Sequence, residues 1–166
     1  MKWINHKVAT FSVVYFITHD VISSVFAMVG SIFPDAIEGH NYASERWKRN
    51  HRRLSHWFLG YFIVASILWF MVKAKTGISI ETVSFSQFLS VFKVINSETL
   101  IYFMFYIGFF FCFGCILHIL EDSLSSSVPL LHPTKRVFGL GLIPTGSLVE
   151  YLISFGLAAF TFFCCF

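Results

Sequence analysis

The segment that decides the fold is residues 99–120, which reads TLIYFMFYIGFFFCFGCILHIL. As a helix it covers the hydrocarbon core of a bilayer, because about 20 apolar residues span the roughly 30 Å that are required. Residues 56–72 and 147–166 are also apolar and long. Trp57 and Trp69 lie near the ends of the first of these, where indole rings anchor a helix at the interface. The sequence therefore predicts three membrane-spanning helices.

The overall composition supports this interpretation. Of the 166 residues, 56% are hydrophobic and only 13% are charged, whereas soluble domains carry about 25% charged residues. Such a chain cannot cover a globule with polar side chains, so lipid is its natural solvent. We expect an all-α polytopic membrane helix bundle that forms one membrane-embedded domain, residues 1–166. Its polar loops are expected at residues 35–55 and 121–146.

The first 34 residues contain two shorter apolar pieces, at 8–18 and 21–34, with His19 and Asp20 between them. Each piece is near 20 Å long as a helix, which is too short to cross the membrane alone. The two pieces can form one long bent helix or a short hairpin that turns at His19 and Asp20. We expect the hairpin, which returns the chain to the face from which it entered. Farther along, residues 78–92 are compatible with a short amphipathic helix on the membrane surface.

The basic residues are distributed unevenly between the two membrane faces of this topology. The loop at residues 35–55 holds five of the twelve Lys and Arg residues, and the loop at 121–146 adds Lys135 and Arg136. The opposite face has Lys73, Lys75 and Lys93. Since positively charged loops remain in the cytoplasm, both polar loops are expected on the cytoplasmic side.

Histidine and acidic residues gather at that same face, because alternating helices return there. The candidate metal ligands are His6, Asp35, His51, His56, His118 and Asp122. His118 and Asp122 are four residues apart and share one face of a helix. His51 and His56 are about 140° apart on a regular helix, so we place the first in the loop and the second in the first helical turn. Imidazole and carboxylate ligands favour zinc, or manganese or iron where carboxylates dominate.

Several of these residues have alternative interpretations. Asp35 or Asp122 is a candidate catalytic residue, which would orient a water molecule or accept its proton, although Asp35 can also begin a turn after Pro34. Arg52 and Arg53 can clamp a substrate phosphate or carboxylate, or can anchor lipid headgroups. Glu150 is a candidate substrate-binding residue, and it can equally stabilise the first turn of the last helix.

The order of short motifs along the chain resembles a known family. These motifs are GSIFPD at residues 30–35, HRRLSH at 51–56, HILED at 118–122, VPLLHP at 128–133, and Gly146-Ser147 followed by Glu150. The pattern resembles the YdjM-like, LexA-regulated family of inner-membrane proteins, which are described as metal-dependent hydrolases. The resemblance implies a multi-pass protein of the bacterial inner membrane with a divalent metal, zinc in the first instance. Where the family often has a second Asp, this chain has Ile37, followed by Glu38.

Three functions remain to be compared. The first is a membrane-bound metal-dependent hydrolase whose substrate is a phosphoester or another amphiphile that arrives from the lipid. The second is a non-enzymatic membrane interaction protein with a structural metal. A transporter is disfavoured, because residues 63–72 and 100–117 carry no charge at the membrane midplane. We expect membrane lipid as a partner and see no sign of nucleic-acid binding; the sequence leaves the oligomeric state open.

Overall fold

The computed structural model describes residues 1–39, 53–79, 84–92, 97–133, 135 and 138–165. Within these ranges the regular secondary structure is helical, apart from an isolated antiparallel bridge between Val128 and Phe138. The helices, in chain order, are α1 Trp3–Thr18, α2 Val21–Gly30, α3 Phe33–Ala36, a 3-10 turn Leu54–His56, α4 Phe58–Thr76, α5 Phe85–Ser90, α6 Ser97–Ser125 and α7 Leu148–Cys165.

Three helices, α4, α6 and α7, are long and apolar enough to cross a membrane, which confirms the predicted number of spans. Their boundaries differ from the prediction. Helix α6 continues through Glu121 and Asp122 to Ser125, because the side chains of both acidic residues have partners on other elements. The predicted loop at 121–146 therefore begins later. Helix α4 begins at Phe58, because His56 belongs to the 3-10 turn before it.

The predicted hairpin at the start of the chain is confirmed. Helix α1 ends at Thr18, and His19 adopts the left-handed conformation with φ of 50°, its N–H donating to the carbonyl of Tyr15. Asp20 then caps α2 by accepting a hydrogen bond from the backbone N–H of Ser23 at 2.8 Å. Because α1 and α2 pack side by side, the two ends of the hairpin lie at the same end of the bundle.

The helices pack in a row, in which α1 lies between α7 and α2, and α6 lies between α2 and α4. Helices α2 and α6 approach most closely at two glycines. A Cβ atom on Gly30 would overlap the carbonyl of Phe111, and one on Gly114 would overlap the carbonyl of Ala27. Small residues allow such backbone contact between membrane helices. This contact fixes the end of α2 beside the second half of α6.

The predicted surface helix at residues 78–92 is shorter in the structure, where α5 covers Phe85–Ser90. Phe88 is completely buried and packs against the first half of α6, with ring centroids 4.8 Å from Tyr106. Phe109 and Phe110 continue this aromatic core along α6. The apolar core thus lies around α5 and the first half of α6, away from the polar end of the bundle.

Candidate metal centre

Four acidic and histidine side chains meet at the polar end of the bundle. Asp35, His56, His118 and Asp122 each present one ligand atom, and these atoms all lie within 4.8 Å of one another. The two histidines and Asp122 are completely buried, and the Asp35 side chain is 16% exposed. Three separate segments supply them, namely α3, the 3-10 turn and α6. The described residues therefore contain a group with two histidines and two aspartates that can hold a metal ion.

The distances within the group are short. The Nε2 atoms of His56 and His118 are 3.1 Å apart. Asp35 Oδ1 lies 3.3 Å from His56 Nε2 and 3.7 Å from His118 Nε2. Asp122 Oδ2 lies 3.5 Å and 3.7 Å from the same two nitrogens. Because the metal bonds of such ligands are about 2 Å long, one ion can reach all four side chains after small movements.

The position of His118 on α6 follows from the close packing of α2 and α6. Its Nδ1 lies 2.6 Å from the carbonyl oxygen of Ser31, the residue that follows α2. A carbonyl only accepts hydrogen bonds, so Nδ1 carries the proton and donates it. The lone pair of neutral His118 is therefore on Nε2, which faces the group. Outer hydrogen bonds of this kind orient metal-binding histidines.

His56 is oriented by a carboxylate on its other side. Its Nδ1 lies 3.3 Å from Glu38 Oε1 and 2.9 Å from the hydroxyl of Ser55, which itself contacts Glu38. Burial alone would lower the pKa of His56. The nearby carboxylates of Asp122, Asp35 and Glu38 outweigh this effect and raise the pKa of His56 to about 10. The surroundings of this ring are thus strongly anionic and favour a cation.

His6, from α1, lies beside the four residues. Its ring centroid is 4.0 Å from that of His118, and its Nε2 is 3.5 Å from Asp122 Oδ1. Its Nδ1 lies 2.5 Å from Glu121 Oε2, and the other oxygen of Glu121 accepts a hydrogen bond from Thr10. His6 Nε2 is buried and has no hydrogen-bond partner within the described ranges. The hairpin thus brings His6 to the group. This agrees with the prediction from the sequence, in which His6 can belong to the metal site only if the first two helices form a hairpin.

The two aspartates differ in their accessibility and their other contacts. Asp35 Oδ2 accepts a hydrogen bond from the indole N–H of Trp3 at 3.1 Å, whereas its Oδ1 has no hydrogen-bond partner among the described residues. Although burial alone would raise its pKa, the nearby imidazole rings of His56 and His118 hold the pKa of Asp35 well below its usual value. Asp122 Oδ1 accepts a hydrogen bond from the amino nitrogen of Met1 at 2.5 Å. The other oxygen, Oδ2, lies 3.5 Å from His56 Nε2 and 3.7 Å from His118 Nε2.

The remaining predicted site residues lie elsewhere. His51 and Arg52 fall outside the described residues, so their roles stay predictions. Arg53 precedes the 3-10 turn, and its Nε is buried without a hydrogen-bond partner among the described residues. Glu150 is completely buried, and its carboxylate accepts hydrogen bonds from the backbone N–H groups of Lys2 and Gly146 and from the Asn5 side chain. These contacts tie α1 to the start of α7; substrate binding by Glu150 stays a prediction.

Sequence reasoning did not anticipate the residues that orient the histidines. The sequence marks Glu38 only as the residue after Ile37, and Glu121 only as a member of the motif at residues 118–122. The signal for Glu121 was available, because it is three residues after His118 and can turn toward a neighbouring helix. The sequence gives no comparable signal for the Ser31 carbonyl or the Trp3 indole. The first contacts His118 and the second contacts Asp35, and both contacts arise only from the packing of the helices.

Comparison with known protein families accounts for the motif order. The profile of the YdjM inner membrane protein family matches residues 1–165. The chain belongs to the YdjM inner membrane protein family. No curated protein and no solved structure matches it. Membership in the YdjM family, together with the apolar helices α4, α6 and α7, identifies a multi-pass protein of the inner membrane.

Proposed function

We propose that the protein is a membrane-bound, metal-dependent hydrolase that acts at the cytoplasmic face on a phosphoester or lipid-like substrate. The observation that carries this proposal is the convergence of Asp35, His56, His118 and Asp122, whose ligand atoms lie within 4.8 Å of one another. Ionisable groups embedded in a membrane protein are costly and mark functional sites. Four such groups from three segments are difficult to explain as helix caps or solvated surface residues.

The chemistry of the group fits a divalent cation. The Nδ1 atoms of His118 and His56 each lie close to an oxygen atom of the protein. The Nε2 atoms of the two rings face each other at a distance of 3.1 Å. The buried carboxylates lie beside them, and Asp35 Oδ1 has no hydrogen-bond partner in the described part of the chain. The negative charges of two carboxylates brought together in this way repel, and burying them is costly unless positive charge is present. Nitrogen and carboxylate ligands suit zinc, which we propose as the metal.

The residues of the group take different roles in this proposal. A cation held there would supply Lewis acidity, which polarises a substrate oxygen and makes water a better nucleophile near neutral pH. His56, His118 and Asp122 are completely buried and are proposed as ligands. Asp35 is the more accessible carboxylate, and we assign it a second role in orienting water and accepting its proton. His6 is proposed as a further ligand through its Nε2.

A non-enzymatic membrane interaction protein with a structural metal is the second candidate function. The number of ligands favours it, because two histidines and two aspartates are sufficient to close a tetrahedral zinc site. A catalytic site keeps one position open instead. Cobalt substitution separates the two cases. A closed four-coordinate spectrum that an added anion does not change supports the structural metal, and a spectrum that changes with the anion supports the hydrolase.

Metal analysis of the purified full-length protein in detergent tests the proposal directly. We expect bound zinc in the wild-type protein and loss of most of it in His118→Ala and Asp122→Ala. His132→Ala and Asp20→Ala are the matched controls, because His132 is exposed and Asp20 lies at the hairpin turn; both are expected to retain the metal. Arg53→Ala is also expected to retain it. Full metal content in the His118 and Asp122 variants would refute the site.

A further inference from the structure

An open cleft lies directly behind His56, on the side of the ring that faces away from the metal group. Its volume is about 540 Å³, which is within the range of small-molecule sites. Glu38 and Ser55 line the cleft and also contact His56 Nδ1. Since Nε2 of the same ring faces the metal group, the cleft lies on the Nδ1 side of His56, with Glu38 and Ser55 between the cleft and the ring.

The polar part of the cleft favours an anion. Arg53 lines it, and the Nε of Arg53 is buried without a hydrogen-bond partner in the described ranges. A buried guanidinium N–H without a partner is costly. The nearby carboxylate of Glu38 is already engaged by Ser55 and His56. Guanidinium groups bind phosphate through short, charge-assisted hydrogen bonds. An anionic group of a bound ligand would satisfy the Nε–H of Arg53.

Among the described residues, the other side chains that line the cleft are largely apolar. Ile37, Leu54, Tyr61 and Pro133 form its other walls. Leu54 is 71% exposed and Ile37 is 53% exposed, so two large aliphatic side chains stand open beside the charged group. This pairing of one cation with an aliphatic wall is complementary to an amphiphile that has an anionic head and a hydrocarbon tail, and not to a free inorganic anion.

We propose that this cleft binds the phosphate head and the adjoining hydrocarbon of a single-chain phosphate amphiphile, with the phosphate on Arg53. The phosphate in this cleft lies on the Nδ1 side of His56, away from the metal group, so the cleft is assigned a binding role beside the proposed hydrolase site. Binding itself does not depend on hydrolysis. The tail lies against Ile37 and Leu54, the two exposed aliphatic side chains of the cleft.

Photo-crosslinking tests the cleft with the full-length protein in a phosphate-free detergent. The probe is a dodecyl phosphate that carries a diazirine in its chain, and the matched probe is the corresponding dodecyl alcohol. We expect the phosphate probe to label peptides that contain the cleft residues. Arg53→Gln should reduce this labelling about tenfold, the loss expected for one charge-assisted hydrogen bond. Lys135→Gln, which removes an exposed charge from the same end of the bundle, should leave labelling unchanged. Leu54→Asp should also reduce labelling.

Three results would overturn the proposal. The first is equal labelling by the alcohol probe, and the second is unchanged labelling of Arg53→Gln. The third is competition by inorganic phosphate that is as effective as competition by unlabelled dodecyl phosphate. This third result would indicate a site for free phosphate. Metal content is measured on the same samples. Cleft labelling in a protein without metal refutes the hydrolase and leaves the binding site intact, whereas bound metal without cleft labelling refutes the binding site alone.

Discussion

The two halves of α6 face the same bundle but are packed by different physical forces. Along the first half, Tyr106, Phe109 and Phe110 are held by other rings at centroid distances of 4.8 to 5.1 Å. Along the second half, His118 and Asp122 are held by hydrogen bonds and ion pairs with α1, α2 and the turn before α4. The packing of the apolar half stabilises the bundle, and this stability holds the charged groups of the polar half close to one another.

Tyr106, a buried residue in the first half of α6 that carries a hydroxyl group, illustrates the contrast. The hydroxyl of Tyr106 lies 2.6 Å from the hydroxyl of Ser23 and 3.5 Å from Asp20 Oδ2. Its hydrogen-bonding capacity is thus met within the protein. At the other end, Asp35 Oδ1 and His6 Nε2 have no such partners among the described residues. A satisfied polar contact indicates a role in stability, whereas convergent groups without hydrogen bonds indicate a site for a ligand.

The largest effect on stability is expected in the first half of α6. Phe110→Ala removes a side chain that is 2% exposed, and such truncations cost about 4 kcal/mol in the free energy of unfolding. Phe163→Ala, at a position that is 81% exposed, is the matched control and should cost little. Denaturant titration in mixed micelles measures both. Metal content per folded molecule should not change, and a loss of metal in Phe110→Ala would show that the two halves are not separable.

A smaller effect is expected where the two regions join. Gly114→Ala introduces a Cβ atom against the carbonyl of Ala27, and overpacking of this kind costs about 2 kcal/mol. Because α2 must move, the carbonyl of Ser31 should withdraw from His118, and metal affinity should fall together with stability. Gly156→Ala is the control, since open space surrounds that position. Weakened stability with unchanged metal affinity would show that Ser31 does not orient His118.

The smallest effect is expected from the residues around the proposed ligands. Glu38→Gln weakens the contact that orients His56, and changes to such outer residues lower metal affinity about tenfold. Glu98→Gln makes the same chemical change at the opposite end of α6, where Glu98 pairs with Lys75. Competition with a chelator measures both variants. Equal affinities in the two variants would remove Glu38 from the site.

The amino-acid sequence determined the membrane class of this protein, because hydropathy over about 20 residues depends on composition and not on packing. It also favoured the hairpin over one long bent helix, since His19 and Asp20 interrupt two segments that are each too short to span, and the structure decided between the two. The pairing of His118 with Asp122 was predictable for a similar reason. Residues four apart on a helix share a face in any tertiary environment, and His118 Nε2 lies 3.7 Å from Asp122 Oδ2 in the structure.

The tertiary structure alone decided which other groups join that pair. Only the contact between Gly30 and α6 brings the Ser31 carbonyl to His118, and only the hairpin's position against α6 brings His6 within 3.5 Å of Asp122. The 3-10 turn moved His56 out of the helix and into the group, with Glu38 behind it. These contacts join residues far apart in the chain, and their geometry depends on how closely helix backbones approach. Periodicity and motif spacing describe one helix at a time, so they carry no information about that distance.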